Sequence, residues 1–396
     1  MPDPLRIAQR MRLIDASGIR KVFDLAARLK DPINLSIGQP DFDVPAAAKA
    51  AAVAAIQSGQ NKYTQTQGTE ALLTAVAKAC CREFGWHEAY HGGGPQSRSR
   101  CTSGGFGVPR VFDKRGYLIT SGTSGALMLA LLTLVDPGDE VVFFDPYFVM
   151  YKHLVNLCGG VPVPVSTYPS FRPNLQALAD ALTDKTRLLI INSPVNPTGA
   201  VFSRQELEAI AEIAARRELL VISDEIYNLF CYDQPYVSMV SAYDRTLLLR
   251  GWSKSYAMTG WRLGWCTGPA EIIEKMTMLQ QYSFVCAPSM AQAGAAVALD
   301  IDMAREVAAY KRKRDMVYDA LEKPFGLVKP DGAFYAFVPA PKGLSGSEFV
   351  ARAVENNVLI IPGNVFSQHD THFRLSYATG DQQLAKGLEV LVKLAK

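Results

Sequence analysis

The 396-residue sequence lacks the features that mark membrane, secreted or nucleic-acid-binding chains. No apolar run is long enough to cross a membrane, and the first residues carry charges every few positions instead of the apolar core of a signal peptide. Forty-one Lys and Arg against 38 Asp and Glu leave a net charge of +3, without a dense basic run that could follow a phosphate backbone. We therefore expect a globular cytoplasmic protein with neither membrane nor nucleic acid as a partner.

Cysteine and histidine are also too sparse or too scattered to indicate a metal or disulfide framework. The seven cysteines form no C-x-x-C pair, which favours free thiols in a reducing compartment. One zinc-protease spelling, H-E-x-x-H, occurs at 87–91. The run Gly92-Gly93-Gly94-Pro95 would end its helix at once. We therefore expect this motif match to be a coincidence and predict no metal site.

Apolar strands alternate with amphipathic helices through the middle of the chain. A capping box at Ser203 and Glu206 begins one of these helices. The predicted strands lie at 117–120, 141–144, 188–192, 219–223 and 246–250, and the helices at 69–83, 123–134, 174–182 and from 203. This alternation predicts an α/β fold with a mostly parallel sheet flanked by helices.

The C-terminal part has a different pattern. One long helix is predicted over 289–321, and after it come strands at 334–339, 358–362 and 373–378 and helices at 347–356 and 381–395. This mixture predicts a smaller α+β domain at 296–396, with the N-terminal segment 1–43 packing against it, and a large domain at 44–295. Within the large domain, 91–116 is rich in Gly, Ser and Arg and is expected to be a solvated loop without a catalytic role.

Small and polar residues follow the apolar strands, at the edge where α/β sheets bind ligands. Gly122, Thr123 and Ser124 open a helix whose free N–H groups suit an anion. Later strand ends add an aromatic ring, an amide, a carboxylate, a phenol and an amine, namely Phe148, Asn196, Asp224, Tyr227 and Lys254. Together these groups suit an anionic heteroaromatic aldehyde.

The motifs that contain these residues occur in a recognisable order. They are LSIGQPDF, YTQTQG, SGTSGAL, SPVNPTG, DEIY, SKSYAMTGWRLG and FRLSYA. In their order and spacing the chain resembles the fold-type I pyridoxal-phosphate enzymes of the class I/II aminotransferase family, in its aspartate aminotransferase-like branch. The resemblance implies pyridoxal 5'-phosphate as cofactor, ping-pong transfer of an amino group from an L-amino acid to a 2-oxo acid such as 2-oxoglutarate, and a homodimer with shared active sites.

The resemblance also implies a role for each cofactor-binding residue. Lys254 would bind the cofactor's aldehyde and act as the catalytic base, and Asp224 would keep the pyridine nitrogen protonated. Tyr227 and Asn196 would hydrogen-bond the 3'-oxygen, and Phe148 would stack on the ring.

The resemblance also implies binding residues for two anionic groups, the phosphate of the cofactor and the α-carboxylate of the substrate. The resemblance implies that the phosphate is held by Gly122, Thr123, Ser124 and Arg262, with Tyr63 reaching it from the neighbouring subunit. The substrate α-carboxylate would be bound by Arg374, together with Gly38 and Asn196.

Three positions depart from the family pattern. Gly251 stands where many members carry a hydroxyl ligand of the phosphate, and Trp252 beside it is unusual. Ser124 stands where some aspartate-specific members carry a lysine, so the donor amino acid stays open.

Other reactions on the same fold stay open too. They are a C–S β-lyase, an aminocyclopropane-carboxylate synthase-like enzyme, and a non-catalytic regulator that keeps the fold. The joint presence of Lys254, Asp224 and Arg374 argues against the regulator.

Overall fold

The computed structural model describes residues 7–15, 18, 29–86, 99–100 and 114–396. The H-E-x-x-H motif and most of the predicted 91–116 loop lie outside the described residues and stay predictions. The loop prediction is wrong at 99–100 and 114–116, which belong to strands of the large sheet. Within the described part of the chain, no helix combines the length and the apolar character needed to cross a membrane.

The secondary structure alternates as the central part of the sequence predicts. The strands are β1 (Ile33–Asn34), β2 (Ser99–Arg100), β3 (Lys114–Ser121), β4 (Glu140–Asp145), β5 (Val161–Ser166), β6 (Thr186–Asn192), β7 (Leu220–Asp224), β8 (Thr246–Gly251), β9 (Leu263–Pro269), β10 (Tyr335–Pro339), β11 (Val358–Leu359), β12 (Ile361–Pro362) and β13 (His372–Ser376). The α-helices are α1 (Ala46–Gln57), α2 (Glu70–Phe84), α3 (Gly122–Leu134), α4 (Met150–Leu157), α5 (Leu175–Ala181), α6 (Arg204–Arg216), α7 (Trp252–Ser255), α8 (Ala270–Gln281), α9 (Ser289–Ala298), α10 (Ala304–Phe325), α11 (Gly346–Glu355) and α12 (Asp381–Leu394).

The large sheet runs in the order β2-β3-β9-β8-β7-β6-β4-β5. The strands from β5 to β8 pair in parallel, whereas β9 lies antiparallel between β8 and β3. Because the parallel strands share one direction, their carboxyl ends meet at one edge. The predicted α/β fold with a mostly parallel sheet is confirmed.

Helices cover both faces of this sheet, which explains why its strands are apolar throughout. On β4, Val141 and Phe143 pack with α3, α4 and α8, while Val142 and Phe144 pack with α5 and α6. Successive side chains of a strand point to opposite faces, so a sheet buried on both sides needs apolar residues at every position.

The C-terminal part forms smaller sheets. Strands β10, β13 and β12 pair antiparallel, and β1 pairs in parallel with β11, with Ile33 opposite Val358. Leu35 joins the core cluster that α10, α11 and α12 cover. Residues 33–35 therefore lie against the C-terminal part of the chain, whereas the Leu13 carbonyl oxygen accepts a hydrogen bond from Asn156 on α4 (3.4 Å). The domain boundaries near residues 43 and 295 stay predictions.

Two predicted elements are wrong in detail. The helix predicted over 289–321 is two helices, because α9 ends at Ala298 and α10 begins at Ala304 after Asp302 accepts a hydrogen bond from the Ala304 N–H (2.9 Å). The strand predicted over 358–362 is split between β11 and β12, which pair with different partners.

Three strands of the large sheet were not predicted, namely β2, which falls in the segment expected to be a loop, and two others, each for a physical reason. Strand β5 contains Pro162 and Pro164, which lack the N–H that a central strand needs, and it lies at the sheet edge where this is tolerated. Strand β9 contains Gly264, which disrupts the apolar pattern. A Cβ at Gly264 would lie 2.4 Å from the Gly122 carbonyl carbon, so this glycine lets β9 pack against the start of α3.

Candidate active site

A cavity of about 330 Å³ lies at the carboxyl ends of the parallel strands. It is bordered by the ends of β6 and β7, the first turn of α3, helix α7, and residues from the smaller sheets. Most of the predicted site residues line it: Gly38, Thr123, Ser124, Phe148, Asn196, Asp224, Tyr227, Lys254, Arg262 and Arg374. Gly122 and Tyr63 are not among the described residues that line it.

Lys254 projects into the cavity from the short helix α7, which follows β8 immediately. Its Nζ donates a hydrogen bond to the Gly38 carbonyl oxygen (2.5 Å). Burial, and then the positive charges of Arg374 and Arg262, lower the pKa of Lys254 to about 8. The amine therefore loses its proton more easily than an exposed lysine and is suited to act as a nucleophile or base.

Asp224, the last residue of β7, is a buried carboxylate. Its Oδ2 accepts a hydrogen bond from the Tyr151 hydroxyl (2.8 Å), and its Oδ1 accepts one from the Ile226 N–H (3.3 Å). Burial raises the pKa of Asp224 to about 6 although both hydrogen bonds act in the opposite direction. A cationic group placed beside this carboxylate would compensate its burial.

Two side-chain amides connect the main chain at Asp224 to Arg374. The Asn192 Nδ2 donates to the Asp224 carbonyl oxygen (2.9 Å), and the Asn192 Oδ1 accepts from the Asn196 N–H (2.9 Å). The Asn196 Oδ1 in turn accepts from the Arg374 Nη1 (3.0 Å). Because the Asn196 oxygen is occupied, its NH₂ group is the part that can donate to a ligand.

Arg374 lies on β13 and is only 1% exposed, so it does not form the surface ion pair that an isolated strand arginine often makes. Its Nη2 donates to the Ser36 carbonyl oxygen (2.9 Å), and its guanidinium packs against the rings of Tyr335 and Phe366, 4.4 Å from each centroid. Its Nε has no hydrogen-bond partner. Among the described residues no carboxylate forms an ion pair with this buried cation, so its charge is available to an anionic ligand.

The first turn of α3 forms a second place for an anion. Its N-cap residue, Ser121, makes no side-chain capping bond, and the buried hydroxyl of Thr123 has no hydrogen-bond partner. A Cβ at Gly122, which has a φ of 72°, would lie 2.6 Å from Arg262 Nη2. Glycine is therefore needed for this close approach, which places a guanidinium beside free helix N–H groups.

The two unusual positions after β8 have different environments. A Cβ at Gly251 would lie 2.8 Å from the Thr123 hydroxyl oxygen, so the small residue leaves space for that hydroxyl. The Trp252 side chain is fully buried and packs with the cluster that includes Trp265 and Tyr256 instead of lining the cavity.

Three residues of the site were not predicted from the sequence, namely Tyr151, Asn192 and Tyr335. Tyr151 lies on α4, 73 positions before the carboxylate it contacts, and Tyr335 lies 108 positions after Tyr227, whose hydroxyl it meets at 3.0 Å. Only Asn192 had a local signal, since it ends an apolar strand as the predicted site residues do.

Comparison with known proteins identifies the family. The sequence model described as Aminotransferase class I and II matches residues 30–391. The chain is 35% identical to a probable aspartate aminotransferase of Methanocaldococcus jannaschii, over 98% of this chain and 99% of that protein. It is 36% identical to aromatic-amino-acid aminotransferase 2 of Thermococcus litoralis, over 99% of both chains.

Solved structures agree with the sequence comparisons. The aspartate aminotransferase of Thermotoga maritima superposes with a TM-score of 0.87 at 30% identity, covering 98% of this chain and 99% of the other. The aromatic aminotransferase of Pyrococcus horikoshii gives a TM-score of 0.83 at 34% identity, covering 94% and 98%.

The chain therefore belongs to the class I and II aminotransferases and is a pyridoxal-phosphate-dependent aminotransferase. The predicted family, cofactor and transaminase activity are confirmed. The relatives do not favour the lyase or regulator alternatives.

The residues around the cavity fit this cofactor. The unpartnered hydroxyl of Thr123, the uncapped N-terminus of α3 and Arg262 together suit a phosphate. A primary amine at Lys254 suits an aldehyde, and the buried carboxylate of Asp224 suits a protonated ring nitrogen.

The raised pKa of Asp224 predicts a pH-dependent cost in the cofactor-free protein. Between the ordinary pKa of 3.8 and about 6, the unfolded chain has lost this proton while the folded chain retains it, so stability falls as pH rises through this window. At pH 8 we expect Asp224→Asn to raise the free energy of unfolding, by an amount of the order of 3 kcal/mol, since one pKa unit corresponds to about 1.4 kcal/mol. At pH 4 this gain should vanish.

Urea unfolding at both pH values measures the effect. Asp233→Asn is the matched control, because Arg314 lowers the pKa of Asp233 to about 2 and its loss should destabilise the protein at pH 8. Equal stability of the Asp224 variant and the wild type at pH 8 would contradict the account of this carboxylate.

Proposed function

We propose that this cavity is the active site and that Lys254 is its catalytic residue. One observation supports this most strongly: Lys254, Arg262 and Arg374 line one cavity, and within the described chain none of them forms an ion pair with a carboxylate. A surplus of positive charge in one cavity matches a phosphate and a carboxylate bound side by side.

The roles of the residues divide around the cofactor. Pyridoxal phosphate, when bound, supplies an electron-withdrawing ring that accepts the charge left at the substrate Cα. Lys254 would hold the cofactor at its aldehyde carbon through Nζ, and its neutral amine would serve as the base for the substrate Cα proton. The lowered pKa of Lys254 favours both tasks, since each needs the neutral amine.

Asp224 keeps the ring nitrogen protonated, and Tyr151 orients its carboxylate through the 2.8 Å hydrogen bond. The Tyr227 hydroxyl and the Asn196 NH₂ would donate hydrogen bonds to the 3'-oxygen. Phe148 stacks on the ring face.

The phosphate is held by Gly122, Thr123 and Ser124 with Arg262. The Thr123 hydroxyl lies next to the space that a larger residue at 251 would occupy. Because this hydroxyl has no hydrogen-bond partner among the described residues, it can supply the phosphate contact that a hydroxyl residue at 251 would otherwise make.

The substrate α-carboxylate binds Arg374 and the backbone at Gly38, with Asn196 alongside. The preferred donor amino acid is not specified by these contacts, because Ser124 offers no charge to a second carboxylate. Similar chains are named for aspartate, aromatic amino acids and prephenate. We propose 2-oxoglutarate as acceptor in a ping-pong cycle, with the enzyme located in the cytoplasm.

We further propose a homodimer with shared active sites. Tyr63 is 83% exposed and Tyr282 is 87% exposed, which is unusual for such large rings. They lie on adjoining segments, because Gln280 of α8 donates to the Thr66 carbonyl oxygen (2.7 Å). Phe284, also exposed, lies beside Gly125 in the first turn of α3, so this apolar face borders the phosphate region. A second copy covering it would bring its own Tyr63 to that phosphate.

Replacing Arg374 tests the carboxylate assignment. Arg374→Ala should lower kcat/KM for the amino acid by roughly 30- to 1,000-fold, mainly through KM, since losing one partner of a buried charge pair costs about 2–4 kcal/mol. The visible absorbance of the bound cofactor should stay. Arg172→Ala, which removes a half-exposed ion pair with Asp331, should change KM less than about twofold. Loss of the cofactor with KM unchanged would contradict the assignment.

Light scattering tests the dimer. The mass in solution should be twice the chain mass of 43.3 kDa. Tyr63→Phe should keep that mass but lower the affinity for the phosphate-bearing cofactor, whereas Tyr318→Phe, on the distant helix α10, should change neither. A monomer that binds the cofactor with normal affinity would rule out a shared site.

A further inference from the structure

Tyr335, on β10, connects two parts of the site that bind different molecules. It is 1% exposed, and it lines the cavity. Its hydroxyl oxygen lies 3.0 Å from that of Tyr227, and its ring faces the Arg374 guanidinium, 4.4 Å from the centroid. One side chain thus contacts both the phenol beside the cofactor and the arginine beside the substrate carboxylate.

The hydroxyl of Tyr335 has one hydrogen bond among the described residues, the one shared with Tyr227. In such a pair one hydroxyl donates and the other accepts. When Tyr227 donates to a ligand oxygen, only the proton of Tyr335 can form the bond between the two phenols. Donation from Tyr335 then polarises the Tyr227 hydroxyl and makes it a stronger donor, because hydrogen bonds in a chain reinforce one another.

The Tyr335 ring acts on Arg374 in a different way. The Phe366 ring also contacts the guanidinium, with its centroid at the same 4.4 Å, so two rings pack against the planar group. Since the Nε of Arg374 has no hydrogen-bond partner, this stacking restrains the rotation of the fork, together with the bonds to Asn196 and Ser36.

The position of the Tyr335 hydroxyl also restricts residue 38. A Cβ at Gly38 would lie 2.2 Å from this oxygen, so the hydroxyl packs directly against the backbone that is proposed to meet the carboxylate. The charged groups around the two phenols are Arg374, Asp224 and Lys254.

We infer that Tyr335 is a positioning residue with two separable effects: its hydroxyl strengthens Tyr227 as a donor to the cofactor, and its ring orients Arg374 for the substrate carboxylate. The inference rests on the roles of Tyr227 and Arg374 in the proposed function. It goes beyond those roles by predicting that substitutions of Tyr335 can change the effect on the cofactor without changing the effect on the substrate.

Two substitutions at one position separate the effects. In the cofactor-loaded enzyme, Tyr335→Phe keeps the ring and should move the pH midpoint of the cofactor's visible absorbance upward, by roughly 0.3 unit or more, since a weaker donor at the 3'-oxygen stabilises its charge less. The amino-acid KM should stay within about twofold. Tyr335→Leu should shift the midpoint equally and also raise KM by roughly 5- to 30-fold, as expected for loss of a buried cation–π contact.

Two controls complete the design. Phe366→Leu removes the other ring on Arg374 and should raise KM without moving the midpoint. Tyr227→Phe should move the midpoint further than Tyr335→Phe does. Thermal unfolding of each variant identifies any change that comes from lost stability.

The outcomes distinguish the inference from the function on which it rests. If Tyr227→Phe moves the midpoint and Tyr335→Phe does not, the effect of the Tyr335 hydroxyl is refuted while the proposed function stands. If Tyr227→Phe leaves the midpoint unchanged, the proposed role of Tyr227 is itself wrong. Should Tyr335→Phe raise KM as much as Tyr335→Leu, the two effects are not separable and the inference is overturned.

Discussion

Uncompensated positive charge in a buried cavity is the constraint on which the active site depends. Arg374 is almost fully buried, Lys254 is desolvated enough to lower its pKa to about 8, and Asp224 is the one carboxylate that lines the described cavity. Burying charge without a partner costs free energy that the fold must offset elsewhere. Anionic ligands reverse this cost, so cofactor and substrate should stabilise the folded protein as well as react in it.

A series of hydrogen bonds, linked through the main chain at Asp224 and Asn196, joins the two parts of the fold. It runs from Tyr151 to Asp224, then through Asn192 and Asn196 to Arg374. The first members lie on or beside the large parallel sheet, whereas Arg374 belongs to the small antiparallel sheet. One network of hydrogen bonds therefore positions both the proposed cofactor-binding groups and the proposed carboxylate-binding groups. A shift of the small sheet would move both sets of groups.

The sequence predicted those proposed site residues that lie at or just after the ends of apolar strands. Asp224 and Lys254 could be predicted as site residues because Asp224 ends an apolar strand and Lys254 lies in the short helix that follows another, and parallel strands bring such positions to one edge. The phosphate turn was predictable for the same reason, since small residues opening a helix leave free N–H groups.

Residues that support the site through tertiary contacts gave no comparable signal. Tyr151 and Tyr335 stand on a helix and a strand where an aromatic residue is normally core, and only the fold brings their hydroxyls to Asp224 and Tyr227. Two local features also prevented hydrophobic periodicity from predicting the secondary structure. The prolines of β5 are tolerated because it is an edge strand, and at the break before Ala304 the Ala304 N–H donates a hydrogen bond to Asp302. Neither feature is visible in hydrophobic periodicity.

The most direct test of the central claim, that Lys254 binds and serves the cofactor in this cavity, is the visible spectrum of the purified protein, recorded before and after adding single amino acids without an acceptor. The account predicts a visible band that Lys254→Ala abolishes, and that a substrate amino acid converts to the shorter-wavelength band of the aminated cofactor. A band that persists in the Lys254 variant, or that no amino acid changes, would contradict it.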